Sequence, residues 1–297
     1  MSHPVETRNL IFSYGRRKVL DGIDLTVASG NFYALIGRNG IGKTTFLKIL
    51  AGLLDPSRGS SSILGRDSRR LRAEDWLSIG YMSESQKIYD WLTGEELIAF
   101  TRALYPSWDQ AFCDHLTKQM QLPLKQKVRR YSKGERMKLV LLLAMAFHPR
   151  LLLLDEPFSG LDVLAKEQLI SCLLDTTQQE QWAVLFASHD LAEVERLADK
   201  IGLMEAGKLK VNESLESLQN RFRRIQAFGV DASPRIDTSM WQTQKKDGSL
   251  TFIETAFSET RQRELQARFG DQMEIAPMAL REIILAFLIE ANAEAIL

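Results

Sequence analysis

The sequence has few cysteines and no long hydrophobic segment. Cys113 and Cys172 have no His or Cys at metal-ligand spacing, so we expect two reduced, buried thiols and no disulfide scaffold. The longest apolar run, Leu139 to Phe147, falls far short of the ~20 residues that cross a bilayer. Met1 to Leu10 lacks the apolar block of a signal peptide. The chain is therefore not expected to enter a membrane by itself.

The sequence also has no excess charge of either sign. Lysines and arginines number 38, aspartates and glutamates also number 38, and the formal net charge is zero. No overall basic field favours nucleic-acid binding, although a local patch would still allow it. Hydrophobic residues at 45% and charged residues at 26% are typical of a folded protein and exclude global disorder and collagen. The length of 297 residues suggests one large domain or two smaller ones.

Apolar strand candidates alternate with helical segments along most of the chain. Leu151 to Leu154 is predicted to be a strand that ends at Asp155, and Ala183 to Ala187 one that ends at Ser188. Residues 85–150 are predicted to be mostly helical. Continuous apolar strands separated by helices indicate a parallel sheet covered on both faces. Further strands are predicted at Val5 to Phe12, Val19 to Val27 and Phe32 to Ile36.

After Gly207 the pattern changes to shorter and more polar elements. We predict a polar helix over Asn212 to Arg224, a hairpin around Lys246-Asp247-Gly248 and an amphipathic helix over Ala279 to Ala291. We expect a small α+β domain at residues 217–297, preceded by a larger domain at residues 1–216.

Gly37 to Thr44 fits the phosphate-loop pattern, between a predicted strand and a predicted helix. Glycines let backbone N–H groups surround phosphate oxygens at a helix N-terminus. Lys43 can reach the β- and γ-phosphates, and the Thr44 hydroxyl can bind Mg²⁺. A chance Gly-rich turn is the alternative, which the strand–helix context disfavours. The predicted nucleotide-binding residues of this segment are Gly37, Arg38, Asn39, Gly40, Ile41, Gly42, Lys43, Thr44 and Thr45.

Two later strands end in groups that suit phosphoryl chemistry. Asp155 would face the Mg²⁺ held by Thr44, and Glu156 would orient or deprotonate the attacking water. His189, after the next predicted strand, would place an imidazole at the γ-phosphate. Solvated strand-end acids and a structural histidine are the alternatives. The parallel sheet favours the catalytic interpretation, because the carboxyl ends of its strands meet at one edge.

A capping-box pair, Ser132 and Glu135, precedes the buried helix. A helix start alone explains this pair locally. It becomes functional if another subunit presents a phosphate to the helix N-terminus, which favours anions.

Taken together, these motifs resemble the ATPase subunit of ABC transporters over about residues 5–215. The order is specific: the phosphate loop, a helical insertion, Tyr131 to Glu135 as the signature, Asp155-Glu156, Ser159 to Asp162 as the D-loop, and His189 as the switch histidine. The resemblance implies an α/β P-loop NTPase fold with a mixed sheet core, a helical subdomain at about residues 85–150 and a small C-terminal α+β domain. Tyr14 has the place of the adenine-stacking aromatic, an exposed turn tyrosine being the alternative.

The resemblance also implies partners. In the family, two such domains bind two ATP molecules head to tail, and each site joins one phosphate loop to the other subunit's signature. Ser132, Gly134, Glu135 and Asp162 are therefore predicted nucleotide-binding residues, with ATP and Mg²⁺ as cofactors. A homodimer and a separate transmembrane permease subunit are expected. This places the chain in the cytoplasm, peripheral on the inner face of the membrane.

The sequence departs from the family pattern at two motifs. The signature reads Tyr-Ser-Lys-Gly-Glu where Leu-Ser-Gly-Gly-Gln is usual, which introduces Lys133. Glu84 replaces the glutamine after the Ile-Gly-Tyr strand, and we predict it as a third Mg²⁺ ligand beside Thr44 and Asp155. Both variants look like those of the drug-, antibiotic- and sodium-exporter-like branch.

The resemblance implies an ATP-hydrolysing motor subunit of an ABC transporter, of the exporter kind. Tyr89 and Trp91 are candidates to receive a membrane-subunit helix, with ordinary subdomain packing as the alternative. A soluble ABC ATPase that acts on ribosomes or DNA is the alternative function. The single cassette and the absence of heptads disfavour it. Its support is two arginine clusters, Arg69, Arg70 and Arg72, and Arg221, Arg223 and Arg224.

Overall fold

The computed structural model describes residues 3–84, 86–230, 236–246, 248–270 and 272–294. The chain divides into two compact units, Met1–Asn212 and Glu213–Leu297. The division lies a few residues before the domain boundary expected after residue 216.

The strands of the first unit form two sheets. They are β1 Val5–Tyr14, β2 Arg17–Val27, β3 Phe32–Ile36, β4 Arg58–Ile63, β5 Arg66–Asp67, β6 Ile79–Met82, β7 Leu151–Asp155, β8 Ala183–Ser188, β9 Lys200–Glu205 and β10 Lys208–Ser214. An antiparallel sheet has the order β2-β1-β4-β5, and the larger sheet has the order β10-β9-β3-β8-β7-β6. The predicted mixed sheet core is therefore confirmed.

Helices connect the strands of the larger sheet. They are α1 Lys43–Leu50, α2 Ala73–Trp76, α3 Gly94–Arg102, α4 Gln110–Gln119, α5 Lys133–Met145, α6 Val163–Glu180 and α7 Leu191–Leu197. Short 3₁₀ turns occupy Ser68–Arg70 and Val128–Arg130. The predicted helical segment at residues 85–150 thus contains α3, α4 and α5.

Parallel pairing brings the carboxyl ends of three strands to one edge. The strand β3 lies between β9 and β8, and β7 pairs with β8 on the other side. Ile36 is in register with Ser188, and Asp155 with Ala187. All residues of β3, β7 and β8 are buried, as expected for strands covered on both faces. The residues that directly follow these three strands therefore lie close together at this edge of the sheet.

Side-chain caps fix where several helices begin. Thr93 caps α3, Ser132 caps α5 and Asp162 caps α6, each accepting a hydrogen bond from a backbone N–H in the first turn. Such a cap contributes about 1 kcal/mol to helix stability. The capping box predicted at Ser132 and Glu135 is confirmed, with both reciprocal hydrogen bonds present. These caps fix the start of α5 and α6 on either side of the predicted D-loop.

The second unit is an antiparallel sheet with helices. Its strands are β11 Arg223–Phe228, β12 Met240–Lys246, β13 Ser249–Glu254 and β14 Met273–Pro277, in the order β12-β13-β11-β14. Its helices are α8 Leu215–Arg221, α9 Glu259–Phe269 and α10 Leu280–Glu294. Its buried apolar core consists of Ile225, Met240, Leu250, Phe252 and Leu265. This unit therefore has a core of its own.

Some predicted elements were wrong in extent. The helix predicted over Asn212 to Arg224 is confined to Leu215–Arg221, because Ser214 caps its start and Arg223 begins β11. The pairing of β11 with β13 and β14 is long-range, and local periodicity carries no signal for it. No element was predicted for Arg58–Ile63 or Val163–Glu180. Asp247, within the predicted hairpin turn, lies outside the described residues.

Cys113 and Cys172 are free and buried, and burial raises the pKa of each thiol to about 11. Among the described residues, no helix is both long and apolar enough to cross a bilayer.

We expect the second unit to be dispensable for nucleotide binding, because the phosphate-loop motifs lie within Met1–Asn212. A chain ending at residue 216 should bind ATP within about tenfold of the full-length affinity. Titration with a fluorescent ATP analogue measures this, after circular dichroism has shown that the shortened chain is folded. A folded chain with a larger loss would contradict the expectation.

Candidate functional site

A cavity of about 480 Å³ lies at the edge where the parallel strands end. The phosphate loop forms one wall, and the segments after β6, β7 and β8 form the others. The lining residues are Asn39, Gly40, Gly42, Lys43, Thr44, Thr45, Glu84, Glu156, Ser159 and His189. Half of the predicted nucleotide and catalytic residues therefore meet in one place.

The phosphate loop has a backbone that requires glycine at the start of α1. Gly42 has a φ of 121°, and an added Cβ would lie 3.0 Å from side-chain atoms of Val19 and Leu20. The buried Lys43 side chain turns back over the loop, and its Nζ donates a hydrogen bond of 2.7 Å to the Gly37 carbonyl oxygen. This holds a cation over backbone N–H groups at a helix N-terminus, an arrangement that suits a polyphosphate.

Thr44 and Asp155 join the phosphate loop to the end of β7. The Thr44 hydroxyl donates a hydrogen bond of 3.0 Å to Asp155 Oδ1. Asp155 is 2% exposed, and burial raises the pKa of its carboxyl group. Among the described residues, no group of three or more His, Cys, Asp or Glu side chains is placed to hold a metal ion without other ligands. A hydroxyl and a carboxylate nevertheless fit Mg²⁺, which usually takes one or two carboxylates and completes its shell with phosphates and water.

Glu156 lies between two cationic or potentially cationic groups. Its Oε1 is 3.5 Å from Lys43 Nζ, and its Oε2 is 2.7 Å from His189 Nδ1. Its backbone has a φ of 52°, a left-handed conformation that is uncommon for a glutamate. Because of this conformation, the Glu156 side chain points in a different direction from that of Asp155. Asp155 already accepts a hydrogen bond from Thr44. The arrangement leaves Glu156 facing the cavity as a hydrogen-bonded carboxylate, suited to accept a proton from water.

A hydrogen-bonded network that the sequence analysis missed supports the His189 segment. The Ser188 hydroxyl donates a 2.6 Å hydrogen bond to the buried Glu193 carboxylate. Lys166 on α6 lies 2.7 Å from Glu193 and 2.7 Å from Asp190. The helix that follows the predicted D-loop is thus tied to the residues on either side of His189. No local pattern indicates this contact, because its members come from separate elements.

Glu84 reaches the cavity but already has partners there. Its Oε1 is 3.0 Å from Lys133 Nζ and accepts a 3.1 Å hydrogen bond from the Ser159 hydroxyl. The hydrogen bond from Lys133 is the main cause that lowers the pKa of Glu84. Ser159 was not among the predicted site residues, although it belongs to the predicted D-loop.

Other predicted nucleotide residues do not line this cavity. Tyr14 is half exposed and packs edge-to-face on Phe12, with ring centroids 4.8 Å apart. Ser132 and Glu135 bond to each other at the start of α5, and Asp162 caps α6. Residues of the same class that also lie outside the lining are Gly37, Arg38, Ile41 and Gly134. The roles predicted for these residues remain predictions.

A second cavity of about 290 Å³ lies between the helical segment and the strand β6. Tyr89 and Phe100 line it, and both rings are half exposed with centroids 5.3 Å apart. Trp91 packs edge-to-face on Tyr89 at 5.0 Å. The predicted pair of Tyr89 and Trp91 thus belongs to an exposed aromatic cluster.

Arginines from both predicted clusters have acidic partners. Arg69 pairs with Asp67 at 2.6 Å. Arg221 pairs with Glu213 at 2.7 Å, and Arg224 with Glu282 at 2.8 Å. These pairs reduce the basic potential that nucleic-acid binding would use.

Comparisons with known proteins show the family of this chain. A profile of the ABC transporter family matches residues 20–159. The ABC transporter ATP-binding protein YtrB of Bacillus subtilis is 30% identical over 233 residues, covering 78% of this chain and 80% of YtrB. The chain belongs to the ATP-binding subunits of ABC transporters. A bacitracin transport ATP-binding protein, BcrA of Enterococcus faecalis, is 32% identical over 232 residues, covering 77% of this chain and 75% of BcrA.

The fold agrees with that of solved ABC ATPase subunits. One structure, of the ATP-binding subunit of an ABC transporter, superposes with a TM-score of 0.66 at 29% identity and covers 72% of this chain and 91% of its own. The predicted ABC ATPase fold is therefore confirmed. As a member of this family the chain is an ATP-binding ATP hydrolase.

We expect Asp155→Asn to stabilise the nucleotide-free ABC subunit. Because burial raises the pKa of Asp155, the folded protein binds a proton there more tightly than the unfolded chain. The free energy of unfolding therefore falls as the pH rises above 3.8, the ordinary pKa of this carboxyl group, because the folded protein then holds a buried charge. At pH 7 the asparagine should raise the free energy of unfolding by about 1 kcal/mol.

Urea denaturation of both proteins at pH 7 and near pH 4 measures this difference. The gain should shrink at the lower pH, where more of the wild-type carboxyl is protonated. A less stable variant at pH 7 would show that the Asp155 charge is favourable in the folded protein.

Proposed function

We propose that this chain is the ATP-hydrolysing motor subunit of an ABC exporter, acting with a separate membrane-spanning subunit. The observation that carries the proposal is the position of Glu156, between Lys43 and His189 at the wall of the phosphate-loop cavity. A carboxylate so placed can take a proton from water beside the γ-phosphate.

Several residues in and beside the cavity would have a part in this chemistry. The loop N–H groups and Lys43 bind the triphosphate, and His189 orients Glu156 through its 2.7 Å contact. Thr44 and Asp155 would hold Mg²⁺, with Glu84 as a third ligand. The metal would neutralise charge on the phosphates. The Glu156 carboxylate and the His189 imidazole both line the cavity that the phosphate loop borders.

The cavity of one subunit lacks the signature residues, which supports a head-to-tail dimer. Ser132 and Gly134 lie outside its lining, at the N-terminus of α5. Helix N-termini favour anions, so a second copy would present this end of α5 to the γ-phosphate. The complete site would then require two copies of the chain.

The permease partner would dock at the second cavity. The exposed rings of Tyr89, Trp91 and Phe100 offer an apolar surface beside the helical segment. The relative BcrA is named as a bacitracin transport protein, which supports an antibiotic-exporter role. The chain would then work at the cytoplasmic face of the membrane.

Replacing Glu156 tests the proposed chemistry. Glu156→Gln keeps the shape of the side chain but cannot accept a proton, and loss of a general base costs about 10²–10⁴-fold in rate. ATP binding should persist, and ATP should hold the variant as a dimer. Phosphate release and size-exclusion chromatography with ATP measure the two effects. The control is Glu74→Gln, which changes an exposed glutamate outside the cavity. Wild-type turnover by Glu156→Gln would refute the assignment of Glu156 as the general base.

Replacing the aromatic cluster tests the permease surface. The double variant Tyr89→Ala and Phe100→Ala should bind ATP as the wild type does, because neither ring lines the phosphate-loop cavity. It should fail to co-purify with the proposed membrane-spanning partner when the two are co-expressed, whereas the wild type should be retained by that partner. Leu53→Ala, at an exposed apolar residue that does not line the second cavity, is the control. Equal retention of the membrane subunit by all three proteins would place the docking surface elsewhere.

A further inference from the structure

The two departures from the family pattern meet in space. Glu84 follows β6 and Lys133 is the first residue of α5, yet Lys133 Nζ lies 3.0 Å from Glu84 Oε1. The family's usual residues at these positions, glutamine and glycine, could not form an ion pair. The replacements therefore form a complementary pair within one subunit.

Ser159 completes the contact. Its hydroxyl donates a 3.1 Å hydrogen bond to the same Glu84 oxygen and accepts one of 3.1 Å from Lys133 Nζ. Glu84 and Ser159 line the phosphate-loop cavity, whereas Lys133 belongs to the helical segment. The three side chains thus join that segment to the cavity wall.

The position of Lys133 explains why it needs an acidic partner. A cation in the first turn of a helix is opposed by the positive end of the helix dipole. Glu84 supplies the negative charge that offsets this. ATP phosphates and a carboxylate are alternative anions for the same end of α5.

The exposure of the Lys133–Glu84 ion pair favours exchange of its partners over a permanent structural role. The side chains of Lys133 and Glu84 are 54% and 46% exposed. Ion pairs this accessible to water contribute little to stability, so a competing cation can displace Lys133.

We propose that Lys133 is a positioning residue for Glu84. In the subunit without nucleotide, Lys133 and Ser159 hold the Glu84 carboxylate at the cavity wall. A divalent cation that enters with ATP competes with Lys133 for that carboxylate. The proposal rests on the proposed function, since it requires ATP and Mg²⁺ in this cavity.

A Mg²⁺ titration of ATP binding tests the competition. All proteins carry Glu156→Gln, so that hydrolysis does not interfere, and a fluorescent ATP analogue reports binding. Lys133→Met should lower the Mg²⁺ concentration for half-saturation about two- to fivefold, the range that an exposed ion pair allows. Ser159→Ala, which changes no charge, should shift it in the same direction by less. Lys125→Met, an exposed lysine of the helical segment outside the cavity, should not shift it.

The Glu84→Gln background separates competition from general electrostatics. There, Lys133→Met and Ser159→Ala should have no further effect, because the carboxylate for which they compete is gone. The same shift in both backgrounds, or no shift in either, would overturn the proposal while ATP binding persists. Failure of the Glu156→Gln parent itself to bind ATP at any Mg²⁺ concentration would instead refute the proposed function.

Discussion

The parallel register of β3, β7 and β8 decides where the charged groups of this protein meet. Ile36 is aligned with Ser188, and Asp155 with Ala187, so three strands end at one edge. The phosphate loop, Glu156 and His189 follow these ends directly. A shift of one residue in either pairing would turn every side chain of the shifted strand to the opposite face and separate these groups. The chemistry of the cavity therefore depends on the packing of strands that themselves carry no functional side chain except Asp155.

The site concentrates charge in a partly buried place and balances it by pairing. Glu156 is held between Lys43 and His189, and Glu193 is held by Ser188 and Lys166. Asp155 has the hydroxyl of Thr44, and burial still raises its pKa. Such groups are stabilised by a ligand that brings positive charge. This is the expected condition of a site that binds a metal with a polyphosphate.

Local sequence patterns predicted the elements that carry the site. The phosphate loop has fixed glycine positions, and the apolar runs before Asp155 and Ser188 are long enough to indicate strands. These signals are local, so they can be recognised in the sequence without knowledge of the fold. The capping box at Ser132 and Glu135 is equally local and was confirmed.

Contacts between distant segments could not be predicted in the same way. The strand β11 depends on pairing with β13 and β14, and α6 has an apolar pattern too diffuse to mark it. The triad of Glu84, Lys133 and Ser159 joins residues as much as 75 positions apart. The sequence showed that positions 84 and 133 were unusual, and the fold shows that they contact each other.

The central claim is that this cavity hydrolyses ATP with Lys43 at the phosphates. Phosphate release by Lys43→Met, measured beside ATP binding, tests it most directly. Lys48→Met on the same helix is the matched control. We expect Lys43→Met to lose about 10²-fold or more in rate and to bind ATP weakly, while Lys48→Met resembles the wild type. Wild-type turnover by Lys43→Met would contradict the account.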